Sequence, residues 1–270
     1  MKIDKTIVAI TGAGGGLGAA MARRLARQGA RVALLDFRQD TLEEIRAELG
    51  LPESDCRAYP VDVSNEEQVD QVFADIAEHF GGIDVLVNNA GITRDALMLK
   101  IKDGKRVSRM SLDAWNAVIN VNLTGVFLCG RAAAEHMILA GNGGLIDNIS
   151  SISRAGNMGQ SNYSAAKAGV AAMTVTWAKE FARYGIRVNS VSPGFIGTEL
   201  VLSMKPEALA KMSSMIPAGR IGEPDEIAHT IQYLVENDFV NGRDLEFVGG
   251  IRLLALLISV LVEIIVLIVE

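Results

Sequence analysis

At 270 residues, with 49% of its side chains hydrophobic, the chain can bury a sizeable core as one large α/β domain or two small ones. A formal net charge of −6 argues against a nucleic-acid backbone as its main partner, since that role needs a basic surface, and it disfavours an acidic protein partner too. Cys56 and Cys129 lie far apart, and His79, His136 and His229 lack ligand spacing, so neither a disulfide framework nor a metal site is expected.

The amino-terminal MKIDKTIVAI runs into a strand pattern with no long apolar stretch and no cleavage site, so a cytoplasmic rather than a secreted protein is expected. TIVAI (6–10) is the first predicted strand. TGAGGGLG (11–18) follows it and opens a helical pattern, LGAAMARRLARQG (17–29). In that run Gly12, Gly16 and Gly18 allow a tight turn, close approach of a pyrophosphate and packing of helix on strand; Gly14, Gly15 and Leu17 complete the loop.

The second strand, RVALLD (31–36), ends on Asp36. A carboxylate there accepts hydrogen bonds from an adenosine ribose and repels a 2'-phosphate, which favours NAD over NADP. The glycine run carries no Lys or Arg, which points the same way; Arg38 is the competing signal, because a guanidinium there can reach a 2'-phosphate.

Further strands are predicted at CRAYPVDV (56–63), IDVLVNNA (83–90), GLIDNISS (144–151), IRVNSVSP (186–193) and RDLEFVGG (243–250), with helices at 65–81 and 165–185 among those between them. KIKDGKR (100–106) is read as a solvated loop, and 198–224, rich in Met and Leu, as a substrate lid or an ordinary helix pair. Strand and helix alternating seven times predicts right-handed crossovers and a doubly wound, mostly parallel seven-stranded Rossmann-type α/β sheet. No linker or repeat divides it, so one domain to about residue 252 is expected.

Four motifs then come in order: the glycine spacing at 12, 16 and 18, NNAG at 88–91, ISS at 149–151 and YSAAK at 163–167. With them the chain resembles the short-chain dehydrogenase/reductase family from about residue 5 to 252, and the segment from Gly91 resembles 3-oxoacyl-(acyl carrier protein) reductases. The resemblance implies that Asp62, Val63, Asn89, Ala90 and Gly91 line a nicotinamide-cofactor cleft and that Pro193, Gly194, Ile196 and Thr198 contact its nicotinamide end.

Tyr163 and Lys167, spaced i and i+4, fall on one helix face. Hydride transfer to a carbonyl leaves an oxygen needing a proton, and a phenol near pKa 10 is a poor donor-acceptor at neutral pH unless tuned. The resemblance makes Tyr163 the general acid/base, with Lys167 lowering its pKa and bonding the nicotinamide ribose, Ser151 holding the substrate oxygen and Asn122 holding a water. The family usually separates Ser and Tyr by one residue more than the twelve found here, the spacing that Ser150 has; Ser151 is preferred as the second Ser of ISS.

The expected substrate is a small ketone, a secondary alcohol or a 3-oxoacyl thioester. A carrier-protein reductase using NADPH is the alternative, against which the uncharged LAGNGG (139–144) and Tyr184 both weigh, since such enzymes place basic residues there. A silent nucleotide-binding scaffold is the reading from another class, disfavoured by the complete Asn-Ser-Tyr-Lys set. The resemblance also implies a homotetramer. After Arg252 comes an eighteen-residue apolar tail, LLALLISVLVEIIVLIVE, interrupted by Ser259 and Glu263. Membrane contact, burial in an oligomer and a sequence foreign to the fold stay open for it, with Glu263 weighing against an anchor.

Overall fold

The computed structural model describes residues 1–251, so the apolar tail lies outside the described residues. Continuous runs of β-branched and aliphatic residues form strands covered on both faces, as in β1 (Ile7–Thr11), whose five residues are all buried. β2 (Arg31–Asp36), β3 (Cys56–Pro60), β4 (Val85–Asn88), β7 (Gly144–Ile149), β8 (Ile186–Pro193) and β9 (Asp244–Phe247) complete a parallel sheet in the order β3-β2-β1-β4-β7-β8-β9. This is the predicted Rossmann-type α/β fold in a single domain, with strands a few residues shorter than the sequence runs.

Helices α1 (Gly16–Arg27), α2 (Gln39–Leu49) and α9 (Pro224–Glu236) cover one face over a core that includes Leu25, Leu34, Val87, Ile227 and Ile231. On the other face α3 (Glu66–Phe80), α5 (Gly125–Ala140) and α6 (Ser161–Glu180) bury Phe73, Ile76, Ala133, Ile146 and Trp177. The ends of α3 follow from its sequence: the Asn65 side chain accepts from the Gln68 N–H, and Gly81 closes it in the left-handed region. α4 (Leu112–Ile119), a π-helical turn (Asn120–Thr124) and α5 form a run long and apolar enough to cross a membrane, but its most apolar stretch is 56% buried inside the protein, as in a core helix. α7 (Glu199–Leu202) and α8 (Pro206–Met215) occupy the expected lid segment. Cys56 and Cys129 are both buried, as small apolar side chains would be.

One element departs from the expectation. KIKDGKR is not a loop: β5 (Leu99–Lys102) and β6 (Lys105–Arg109) form an antiparallel hairpin apart from the main sheet. Asp103 and Gly104 turn it with φ of 51° and 71°, the geometry in which Asp-Gly closes a two-residue turn.

The sheet also buries an acid. Asp147 shares its face of β7 with Leu145 and Ile149, so it points to the α1/α9 layer, and neither of its carboxyl oxygens has a hydrogen-bond partner. Burial pushes its carboxyl up to about 8, with the Arg187 guanidinium pulling the other way. The folded chain therefore holds a proton there that the unfolded chain releases near pH 4, and stability from this group falls as pH rises from about 4 to 8. Asp147→Val is expected to stabilise the protein at pH 8 by about 1–3 kcal/mol and to flatten that decline, measured by urea unfolding at pH 5 and pH 8.

Candidate active site

The strand order reverses between β1 and β4, and a cleft of about 660 Å³ opens there at the carboxyl ends of the strands. A glycine-rich turn forms one wall, and at two of its positions no other residue fits. Gly12 has φ +67°, and a Cβ on it would come within 2.8 Å of the Asn89 amide; a Cβ on Gly18 would overlap the Gly12 carbonyl. The Asn89 amide donates to the carbonyls of Thr11 and Gly12, at 3.0 and 3.1 Å, while the Thr11 hydroxyl accepts from the N–H groups of Asn89 and Ala90. α1 starts at this turn with its first N–H groups free of side-chain caps, a ready seat for a pyrophosphate.

Eleven of the candidate cofactor residues line the cleft: Gly12, Gly15, Gly16, Leu17, Asp36, Asp62, Val63, Asn89, Ala90, Gly91 and Thr198. The donor set fits a dinucleotide: a glycine cradle at a helix start, apolar walls and an acid at the end of β2. Gly14 and Gly18 act from behind the wall, Gly14 through its N–H, which donates to Asp36 at 3.2 Å. The other Asp36 oxygen accepts from the Arg38 N–H, so the carboxylate is held towards the loop while Arg38 lines the same cleft. Asp62 is held by the Ser64 N–H and hydroxyl.

Pro193, Gly194, Ile196, Tyr163 and Lys167 are absent from the cleft wall. Ile196 is buried, bridges to Gly222 and lines a smaller cavity with Phe195, Ile216 and Phe247, while the Gly194 N–H donates to the Phe247 carbonyl. Sequence reading missed Ser64, Ile92, Val121 and Glu199 in the wall and Thr11 beneath it. Only Thr11 carried a signal, as the hydroxyl at the strand end just before the glycines.

β7 and α6 bring the candidate catalytic side chains together. Tyr163 and Lys167 lie on α6, with the Lys167 Nζ 5.7 Å from the Tyr163 ring centre. Burial pushes the Tyr163 phenol up; a hydrogen bond with Ser151 pulls it down, and the Asp95 carboxylate adds a smaller upward push. Lys167 is 3% exposed, donates to the Ile149 carbonyl at 2.6 Å and is pushed by burial down to about 8. The expected lowering of the Tyr by the Lys is therefore not what dominates here: desolvation drives both groups towards their neutral forms.

Ser151 and Ser150 separate cleanly. The Ser151 hydroxyl accepts from the Ser153 N–H and is the serine that lowers the Tyr163 phenol pKa, whereas the Ser150 hydroxyl is buried and donates to the Lys167 carbonyl at 3.0 Å. Asn122 sits in the π-helical turn with both ends of its amide on the Ile92 backbone, at 2.9 and 3.0 Å. Its side chain thus fixes the segment after Gly91.

Asn162 went unnoticed in the sequence. Fully buried, it donates to the Arg94 and Ala114 carbonyls and accepts from the Tyr163 N–H at 2.8 Å, tying the start of α6 to two neighbouring segments. Arg154 in the turn after Ser151 pairs with Asp244 at 2.6 Å and Glu246 at 2.7 Å on β9. Asp244 in turn accepts from the hydroxyls of Ser190 and Ser192. The Ser151 turn is thereby fastened to β9 and, through Asp244 at its start, to the later half of β8.

A family model described as enoyl-(acyl carrier protein) reductase matches residues 12–252. The chain is 40% identical over 254 residues to the 3-oxoacyl-[acyl-carrier-protein] reductase FabG of Thermotoga maritima, covering 93% of this chain and 99% of that protein. It is 40% identical to a 3-oxoacyl-[acyl-carrier-protein] reductase of Synechocystis over 90% of this chain and 96% of that one. The (3R)-3-hydroxyacyl-CoA dehydrogenase of Mus musculus is 37% identical, covering 93% of this chain and 98% of that protein.

The two serines make a direct test. Ser151→Ala is expected to lower turnover about a hundredfold with little change in melting temperature. Ser150→Ala is expected to keep most activity and lose about 1 kcal/mol of stability, from its buried hydrogen bond. Steady-state kinetics and thermal unfolding of both variants decide; the reverse pattern would move the role to Ser150.

Proposed function

The chain belongs to the short-chain dehydrogenase/reductase family and is an oxidoreductase acting between CH–OH and C=O; on that footing we propose that it interconverts a 3-oxoacyl and a 3-hydroxyacyl thioester, with NAD(H) preferred and Tyr163 as general acid/base. The observation that carries the reading is the placement of a half-buried Tyr163 and a buried Lys167 one turn apart on α6, with the Lys167 Nζ 5.7 Å from the phenol ring and the Ser151 hydroxyl lowering the phenol pKa, in a chain that also forms the glycine-walled cleft. A nicotinamide cofactor, when bound, supplies or takes the hydride.

The chain's own residues do the rest. Gly12, Gly15, Gly16 and the start of α1 would hold the pyrophosphate, and Asp36 the adenosine ribose. In reduction the Tyr163 hydroxyl gives its proton to the substrate oxygen as that oxygen gains charge; in oxidation the phenolate takes the proton back. Ser151 donates to the same oxygen and stabilises the charge developing on it. Lys167, as an ammonium below about pH 8, supports the phenolate electrostatically. Asn162 and Asn122 set the positions of Tyr163 and the segment after Gly91 through the bonds described above.

Thioester substrates are supported by the relatives' names, which couple the same 3-oxo/3-hydroxy chemistry to an acyl-carrier protein or to coenzyme A. The uncharged turn after α5 and an exposed Tyr184 weigh against carrier-protein docking there. NADP is the less favoured cofactor in this reading, which is supported by the Asp36 carboxylate lining the cleft at the end of β2. Exposed Phe127 and Leu139 on α5 and Val175 on α6 give an apolar face suited to a cytoplasmic homo-oligomer.

Tyr163→Phe is expected to lower reduction of 3-oxobutyryl-CoA by at least about a thousandfold while cofactor binding, followed by fluorescence, stays within about threefold. Rates equal to wild type would sink the acid/base role. Asp36→Ala is expected to shift the kcat/KM preference from NADH towards NADPH by about ten- to a hundredfold; no shift would assign cofactor choice to other residues.

A further inference from the structure

The β5–β6 hairpin contributes nothing to the core: all nine of its strand residues are exposed. Its side chains are sorted by face. Lys100 is opposite Ser108 and Lys102 opposite Lys105, so alternation places three lysines and a hydroxyl on one side; Leu99, Ile101, Arg106 and Arg109 occupy the other. Like charges directly opposite each other, as at Lys102 and Lys105, destabilise a hairpin. A two-stranded ribbon is marginal in water to begin with. Among the described residues no carboxylate pairs with any of the five hairpin cations. A folding cost with no internal compensation points to an anion from outside.

The hairpin is rooted beside the reaction site. Asp95 accepts from the Gln160 side chain, the Ala96 N–H donates to the Gly159 carbonyl, and Asn162 holds the Arg94 carbonyl while also fixing Tyr163. From Met98 to Lys102 the strand spans about 13 Å. An extended linker of four to five peptide-like units, such as the pantetheine arm of a thioester, spans about 15 Å.

Charge decides what kind of anion fits. Five cations against Asp103 give residues 99–109 a charge of +4, so the rest of a chain at −6 carries −10. An acidic protein approaching as a body meets that repulsion. A compact polyanion within a Debye length, about 8–10 Å, responds to the lysine cluster itself. Lysine ammoniums clustered around one turn suit phosphate groups as point-charge partners.

We infer that the lysine face of this hairpin, Lys100, Lys102, Lys105 and Ser108, binds the nucleotide phosphates of a coenzyme A thioester whose carbonyl is held at Ser151 and Tyr163. The inference rests on the thioester reading given above and names the handle by which the substrate is held. It makes the hairpin a specificity element for the phosphate-bearing tail, separate from the reacting carbonyl.

The test compares wild type with the triple variant Lys100→Gln, Lys102→Gln, Lys105→Gln on three substrates: 3-oxobutyryl-CoA, 3-oxobutyryl-N-acetylcysteamine, which lacks phosphate, and the same acyl group on an acidic carrier protein. KM for the CoA thioester is expected to rise about tenfold in the variant, with KM for the N-acetylcysteamine thioester unchanged. Raising salt from 50 to 300 mM should weaken the CoA thioester in wild type alone. Equal KM values for wild type and variant with CoA overturn the inference, as does a change confined to the carrier-protein substrate, which would assign the hairpin to protein docking. A wild type inactive on all three thioesters but active on simple ketones would overturn the thioester reading, and this inference with it.

Discussion

One knot of backbone and side chain organises the cleft: the Asn89 amide grips the carbonyls of Thr11 and Gly12 while the Thr11 hydroxyl takes the N–H groups of Asn89 and Ala90. It binds the ends of β1 and β4 where the strand order reverses, the one place where a doubly wound sheet leaves a crevice open. The glycines are consequences of that closeness. A side chain at Gly18 would strike the Gly12 carbonyl, and one at Gly12 would strike the Asn89 amide. Once the knot is tied, the start of α1, the acid at the end of β2 and the residues after β4 all face the same space.

The candidate catalytic groups obey a second constraint, desolvation. Tyr163 and Lys167 are each pushed towards the neutral form by burial, in opposite directions on the pH scale, and the Lys ammonium is engaged by the Ile149 carbonyl. The Ser151 hydroxyl works against that burial at the phenol, pulling its pKa back down. The turn that carries Ser151 is itself fastened by Arg154 to Asp244 and Glu246, and Asp244 is fastened to β8 through two serines. Tyr163 is fixed from below by Asn162. None of these supporting residues lines the cleft; they hold Tyr163 and the Ser151 turn in place.

Two features stand apart from the economy of the fold. Asp147 sits without hydrogen-bond partners in a strand otherwise buried in apolar surroundings, a cost the sheet tolerates rather than uses. The β5–β6 hairpin exposes lysines and leucine-type residues together and stabilises nothing behind it. A local arrangement that opposes folding, found next to a reaction site, is most simply related to binding.

Much of this was legible in the sequence. Strand and helix periods, the glycines at 12, 16 and 18, Asp36 at the end of its strand and the i, i+4 spacing of Tyr163 and Lys167 are local properties, and local geometry fixes which face of an element they occupy. The hairpin was legible too, in the Asp103-Gly104 turn between alternating runs, but its charge made it read as a loop. Tertiary structure alone decided the rest. That the Ser150 hydroxyl turns to the Lys167 carbonyl, where the Asn122 amide is engaged, that Asn162 is tied to Arg94 and Ala114, that Ile196 turns to another cavity and that burial outweighs the lysine in setting the phenol all depend on residues distant in the chain. Desolvation and hydrogen-bond partnership are properties of a packed neighbourhood, and no spacing along a single chain encodes them.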